Sequence, residues 1–308
     1  NQEWENNRQQ VAKKYEGKLP LKTDPVLFVD KKEVKIKKQP FVSVIVPTKG
    51  KMELVSNLIG SINANVSYEN YEVIIADTGS TPEEKKDLQS IIAYADSAYA
   101  GMGEWKSQVK VRMVEYDYYN FAKINNDVVN NHLNPKTELI VFCNNDIVFQ
   151  NDCISLMVDT YLKHRHTCGT IGARLHFPDN QIQHAGIFVS RDKDKKLQVG
   201  HIGYKTGYQY HNKTYNVIGS TAALLMVSKT IFDKVGGFNE AYIQCFEDVE
   251  LNLELAKRRC KNYICGEAVA LHYESQSREP HVIPEDMNQL SQYVDANYDK
   301  LVNYLTEL

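Results

Sequence analysis

The chain has 308 residues, 43% of them hydrophobic and 24% charged, with a formal net charge of −3. That length supports one large α/β domain or two modest ones without covalent staples, and the near-neutral balance lacks the basic footprint of a nucleic-acid binder. No apolar run reaches the roughly 18 residues of a membrane span, and six cysteines with no C-x-x-C pair predict reduced thiols in a cytoplasmic chain, with no disulfide frame or zinc cage.

Residues 1–40 read as a polar, lysine-rich extension with no signal-peptide core. Its strip Lys31-Lys32-Glu33-Val34-Lys35-Ile36-Lys37-Lys38 is either a solvated lead-in or a basic band for an anionic surface, which would place the chain peripherally at the inner face of a membrane. The pattern changes at Phe41. The run Phe41-Val42-Ser43-Val44-Ile45-Val46, closed by Pro47, predicts a buried strand. Residues 51–65 follow with Met52, Val55, Leu58, Ile59 and Ile62 on one helical face. A second strand over 71–76 stops at Asp77-Thr78-Gly79-Ser80. Thr81 caps a helix opening at Pro82, with Glu83 and Glu84 at its positive end. Strands over 109–114 and 139–143 flank a helix over 120–131. Such alternation predicts a parallel sheet with helices on both faces.

Beyond residue 150 the rhythm becomes mixed. Helices are expected over 151–163, 228–235 and 247–258, and short strands over 169–174, 185–190, 214–219 and 268–272. Residues 191–213 read as a long loop near a functional edge, and the last 25 residues as helical.

Ligands of parallel sheets collect at the carboxyl ends of strands. Three such ends carry polar groups: Pro47-Thr48-Lys49-Gly50, Asp77-Thr78-Gly79-Ser80 and Asn144-Asn145-Asp146. Each alone is ordinary turn chemistry; together they mark a site. The first two suit a nucleotide, with Asp77 accepting from a base or ribose. A carboxylate such as Asp146 suits a hard divalent cation whose shell is completed by phosphate oxygens and water. G-x-G-x-x-G after the first strand, a Walker loop, H-E-x-x-H and G-x-S-x-G are all missing. Dehydrogenase, P-loop kinase, zincin and serine hydrolase readings lose their usual handles.

The ordered set of motifs resembles an inverting glycosyltransferase of family 2, with the GT-A nucleotide-diphospho-sugar transferase fold. Its elements are Val44-Ile45-Val46-Pro47-Thr48, Ile74 through Ser80, Asn120-Phe121 through Asn125-Asn126, and Phe142-Cys143-Asn144-Asn145-Asp146. After them come Gly236-Gly237-Phe238-Asn239-Glu240, Phe246-Glu247-Asp248-Val249-Glu250-Leu251 and His272-Tyr273-Glu274-Ser275. The resemblance implies a single α/β domain over 41–280 with a mixed, mainly parallel sheet flanked by helices. Residues 1–40 and 281–308 become an extension and a helical appendage, available to a membrane, an acceptor or a second copy in a homo-oligomer.

Site roles follow from the same resemblance. Asp77 would read the nucleobase, with Pro47 and Thr48 lining the pocket. Asn144-Asn145-Asp146 stands at the family's D-x-D motif, with Asn144 replacing the first carboxylate. Asp146 and His272 would hold Mn2+ or Mg2+, imidazole favouring manganese. Lys123, Asn126, Asn144, Asn145 and Arg278 would complete the donor side, the two cations assisting at the diphosphate. Asp248 would be the base that deprotonates the acceptor hydroxyl, oriented by Glu247; both also suit the positive end of a helix. Gln183-His184-Ala185-Gly186 and Gly219-Ser220 would lie on the acceptor side, with His184 touching a sugar hydroxyl or serving structure. The implied activity moves a sugar from a nucleotide sugar, UDP-linked in preference to dTDP-linked, to a saccharide, glycolipid or glycoprotein. Two alternatives stay open. One is a catalytically impaired carbohydrate-binding or scaffold domain, for which Asn144 speaks. The other is a sugar nucleotidyltransferase, whose basic glycine-rich loop would here be only Lys49-Gly50.

Overall fold

The computed structural model describes residue 29 and residues 33–97, 110–206, 213–273 and 282–307. Strand β1 (Phe41–Thr48) is buried on both faces: Val42, Val44 and Val46 enter one core and Ile45 the other, the condition of an interior parallel strand. Helix α1 (Met52–Asn65) lays Val55, Leu58, Ile59 and Ile62 on the first core. Strand β2 (Tyr71–Asp77) then pairs parallel with β1, setting Thr48 opposite Asp77. Helix α2 (Pro82–Ser97) opens on a reciprocal cap. Thr81 Oγ1 accepts from Glu84 N–H, and the Glu84 carboxylate accepts from Thr81 N–H. Strand β3 (Lys110–Glu115), helix α3 (Phe121–Asn131) and strand β4 (Thr137–Cys143) complete a parallel half ordered β4-β1-β2-β3.

The second half begins with β5 (Ile147–Phe149), α4 (Cys153–His164), β6 (Cys168–His176) and β7 (Ile182–His184). Strands β8 (Ile187–Arg191), β9 (Leu197–His201), β10 (Thr214–Val217) and β11 (Leu224–Ser228) follow. Helices α5 (Lys229–Val235) and α6 (Glu247–Lys257) lead to β12 (Lys261–His272). The chain closes with α7 (Pro284–Ala296), α8 (Tyr298–Leu301) and β13 (Thr306–Glu307). The main path of the large sheet is β10-β12-β6-β11-β4-β1-β2-β3, with β5 on β12 and β7 on β6. Along this path the sheet is mixed and mainly parallel, and β11 joins its halves by running antiparallel to β4 and β6.

Six strands depart from the sequence pattern: β5, β7 and β13 are too short to show a period, and β13 falls where the end of the chain reads as helical. β11 is a continuous apolar run, which periodicity cannot tell from a helix segment. β12 is expected only over 268–272 but starts at Lys261; a register shift between Cys265 and Val269 breaks its alternation in the middle. β9 lies inside the stretch expected as a loop, paired antiparallel with β8.

Two polar networks inside the fold are closed by hydrogen bonds. Ser43 hydroxyl donates to Glu72 at 2.8 Å, and Arg112 Nε donates to the same carboxylate at 3.0 Å. This network sits near the amino ends of the strands. Asn262 Nδ2 donates to Ile218 and Asn252 carbonyls at 2.7 and 3.0 Å, while its Oδ1 accepts Thr170 N–H at 3.0 Å. A Cβ at Gly172 would stand 1.7 Å from Ser220 Oγ, so β6 passes β11's approach too closely for any side chain there.

Residues 282–307 join the same body. Leu290, Val294 and Leu301 are fully buried with Ile187, Val189, Tyr242, Val249 and Leu253, each worth about 1.5–3 kcal/mol of gross transfer energy. Asp286, buried on α7, accepts the backbone N–H groups of Ile243, Gln244 and Cys245 at 2.9, 2.8 and 3.0 Å. All six cysteines are free thiols, and burial pushes Cys168 up to about 12. No helix among the described residues is long and apolar enough to cross a membrane.

Candidate functional site

Hydrogen bonds join the ends of β1, β2, β4 and β12 into one rim. It starts at Asp77, whose side chain is wholly buried. Ser80 gives Asp77 Oδ1 its hydroxyl at 2.5 Å and its backbone N–H at 3.2 Å, the turn that stops β2. Ser80 Oγ accepts Gly50 N–H at 2.9 Å, tying in the loop after β1. Among the described residues Asp77 Oδ2 receives no hydrogen bond, and Lys85 Nζ lies 3.7 Å away. An orphan buried acceptor costs about 1–3 kcal/mol, so a ligand N–H there would be stabilising. Lys85 also meets Glu115 at 2.5 Å. Beside it lies an open cavity of about 520 Å³ lined by Glu115, Tyr116, Asp117, Tyr118 and Asp127.

The rim continues from β1 to β4 through Thr48, whose Oγ1 accepts Asn145 Nδ2 at 2.8 Å. Pro47, half-buried, pairs with Ala76 next to it. Asn144 N–H donates to Ala223 O at 2.9 Å. One residue earlier, Ala222 N–H donates to Asp248 Oδ2 at 2.9 Å. Asp248 stands in the first turn of α6 beside buried Glu247. Asn252, one turn on, holds Asp248 O and Ser220 O at 2.7 and 2.8 Å.

At the other side of Asn144, the backbone of Tyr273 donates to Asp146 O at 3.1 Å. That contact aligns the Asp146 and His272 side chains. His272 Nδ1 lies 2.6 Å from Gln183 Oε1, an acceptor that a proton on Nδ1 would satisfy. Asn144 Nδ2 approaches His272 Nε2 at 3.4 Å. Asp146 Oδ1, buried and without a hydrogen bond, lies 3.1 Å from that same Nε2. Either a proton on Nε2 or a cation beside the pair satisfies that buried oxygen. Ligands at right angles, each about 2.1 Å from a metal, stand about 3 Å apart, so this pair fits a divalent ion as neighbouring ligands. Among the described residues no third His, Cys, Asp or Glu joins it, which leaves the remaining positions to ligand oxygens and water.

Several expected residues stand elsewhere. Asn126 departs from the donor-side expectation. Its Nδ2 donates to Phe238 O and Glu240 Oε1 at 2.8 and 2.9 Å, and its Oδ1 accepts Phe238 N–H at 2.9 Å. Pinning the Gly236-to-Glu240 loop leaves that amide almost nothing for a nucleotide. Lys123 is exposed, its Nζ 4.6 Å from the centre of the Tyr118 ring. Arg278, Glu274 and most of residues 1–32 lie outside the described residues. His184 is wholly buried: Thr221 N–H donates to its Nε2 at 3.2 Å, with Ser220 Oγ at 3.1 Å. Burial, helped by His201 and His272, holds its pKa well below the usual histidine range. Gln183, expected on the acceptor side, instead bonds His272. Its signal was its position beside a histidine on a strand, a pattern too common to read.

The model of the family described as Glycosyl transferase family 2 matches residues 43–236. Among relatives, protein y4gI of Sinorhizobium fredii is 28% identical over 284 residues, covering 90% of this chain and 29% of its own. The O-antigen biosynthesis protein RfbC of Myxococcus xanthus is 27% identical, over 88% of this chain and 20% of its own. The chain thus spans less than a third of either relative. GalNAc-T7 solved with UDP, GalNAc and Mn2+ superposes with a TM-score of 0.62 at 11% identity, over 84% of this chain and 49% of that one. The mannosyltransferase PcManGT of Pyrobaculum calidifontis, with GDP-Man and Mn2+, gives 0.56 at 14% identity, over 95% and 78%. Both share the architecture of the sheet described above. With more than half of its length matched by the family model, the chain belongs to glycosyl transferase family 2 and has the GT-A fold.

Proposed function

We propose that the chain catalyses inverting, metal-dependent transfer of a sugar from a UDP-linked donor to the hydroxyl of a saccharide acceptor. The observation that carries this reading is the continuous rim from Asp77 through Thr48, Asn145 and Asn144 to Asp248, with Asp146 and His272 beside it. Asp77 would accept the N–H of the base. Asp146 and His272 would hold Mn2+, which when bound neutralises charge on the leaving diphosphate. Asp248 would take the proton of the attacking hydroxyl across from that leaving group. Asn144 and Asn145 would meet ribose or sugar hydroxyls, and Arg278 and Lys123 would add positive charge nearby.

The family and the name of the Myxococcus relative support a surface glycan or glycolipid as acceptor. A peripheral site at the inner face of a membrane is compatible with that substrate. A panel of nucleotide sugars with Mn2+, scored by donor hydrolysis and by the anomeric configuration of any product, tests the reading without a known acceptor. Retention of anomeric configuration, or full activity of Asp248→Asn in a folded protein, would sink it. Absence of Mn2+-dependent UDP binding would favour the scaffold reading that Asn144 suggests. Release of pyrophosphate from a nucleoside triphosphate and a sugar phosphate would favour the nucleotidyltransferase.

A further inference from the structure

Gln183 lies on β7, and only 1% of it is exposed. Neither the donor nor the acceptor chemistry proposed above uses it. Its Oε1 is nonetheless 2.6 Å from His272 Nδ1, one of the short contacts of the site. β7 runs antiparallel to β6 and β12 parallel to it, with His176 opposite both Ile182 and Leu271. Gln183 is the extra residue at the register shift between Ile182 and His184, and from there its side chain reaches His272 at the end of β12.

The chemistry of the contact is one-sided. An amide oxygen only accepts, so it favours a proton on Nδ1, and in the neutral imidazole this leaves Nε2 as the donor atom beside Asp146 Oδ1 at 3.1 Å. Imidazole ligands of metals are oriented in this manner by an outer acceptor on the other nitrogen.

We infer that Gln183 is a positioning residue for the metal pair, holding His272 in the Nδ1–H tautomer so that Nε2 and Asp146 Oδ1 present adjacent donors to a divalent cation. This rests on the reading of Asp146 and His272 as metal ligands. Gln183 touches neither substrate nor cation; it acts through the imidazole.

The test needs no turnover. Mn2+ binding is titrated by electron paramagnetic resonance in the presence of saturating UDP, for wild type, Gln183→Leu and Gln183→Glu. The tautomer of His272 is read from the nitrogen-15 shifts of the metal-free protein. Gln183→Leu keeps the side-chain volume but removes the acceptor, and should weaken Mn2+ about 10–100-fold with an unfolding midpoint that confirms a folded protein. Gln183→Glu restores an acceptor and should recover most of the affinity. Wild type should show the proton of His272 on Nδ1. Wild-type binding that Gln183→Leu leaves unchanged, or a wild-type His272 protonated on Nε2, would overturn the assignment of Gln183. A wild type that binds no Mn2+ at all with UDP would overturn the metal reading itself.

Discussion

Ala222 donates its backbone N–H to Asp248 Oδ2 at 2.9 Å. The carboxylate at the head of α6 is therefore oriented by main chain, at the edge of the β11 strand that joins both halves of the sheet. Among the described residues no hydrogen bond to its other oxygen is seen, which leaves that oxygen for the proposed acceptor hydroxyl. Asp248→Asn keeps an acceptor for Ala222 but loses the proposed base. Transfer should fall about 10²–10⁴-fold, while UDP affinity, measured by calorimetry, stays within a few-fold.

Asp77 lies at the opposite end of the rim, with one oxygen bonded to Ser80 and the other without a donor. Asp77→Asn replaces part of its accepting capacity with donors. Loss of a hydrogen bond to a charged group costs about 1.5–3 kcal/mol, so the KM for the donor should rise by at least tenfold with kcat little changed. Steady-state kinetics at varied UDP-sugar separate the two parameters.

Removing divalent metal with EDTA should reduce transfer to background, and Mn2+ should restore it more fully than Mg2+ because one ligand is an imidazole. Asp146→Asn should show the same deficit with metal present. Restoration by Mg2+ and Mn2+ at equal concentrations, compared as initial rates, is the check.

Two buried histidines make stability depend on pH. Burial, then the nearby Arg174 charge, lowers His176 to about 4, and burial lowers His184 further below its ordinary range. Both folded-state values lie under the unfolded value of about 6.5. Between those limits the unfolded chain binds more protons, so stability is full above about pH 6.5 and falls as pH drops toward 4. For His176 alone the span corresponds to about 3 kcal/mol. Urea unfolding at pH 7 and pH 5 should show the loss, and His176→Gln should flatten it.

Glu72 tests the opposite end of the sheet. It accepts Ser43, Arg112 and Asn134 in a largely buried network. Glu72→Ala strands those donors and should cost about 1–3 kcal/mol in urea unfolding. Activity per folded molecule should not change, because the network is remote from the rim.

The parallel half was legible because β1, β2 and β4 are short apolar runs closed by turn residues, and because Thr81 carries its cap in the sequence. Strand-end placement then singled out Thr48, Asp77 and Asp146. What stayed hidden depended on partners distant in the chain. Asn126 looked like a site residue, but it and the loop at Phe238 are two halves of one contact, 112 residues apart. A Cβ at Gly237 would stand 2.5 Å from Asn126 Oδ1, so each half constrains the other for packing reasons. Gln183 was invisible in its role for the same cause: its partner on β12 is 89 residues away.

The carboxylate of Asp286 gives the end of the chain a stake in its chemistry. It gathers three successive N–H groups just ahead of Glu247 and Asp248, so the approach to the proposed base is shaped by a helix that follows every motif of the sheet. A boundary drawn for expression or domain exchange near residue 280 would keep all of those motifs and discard their brace. The working unit extends at least through α7, whose Leu290 and Val294 a shorter chain would also strip from the core.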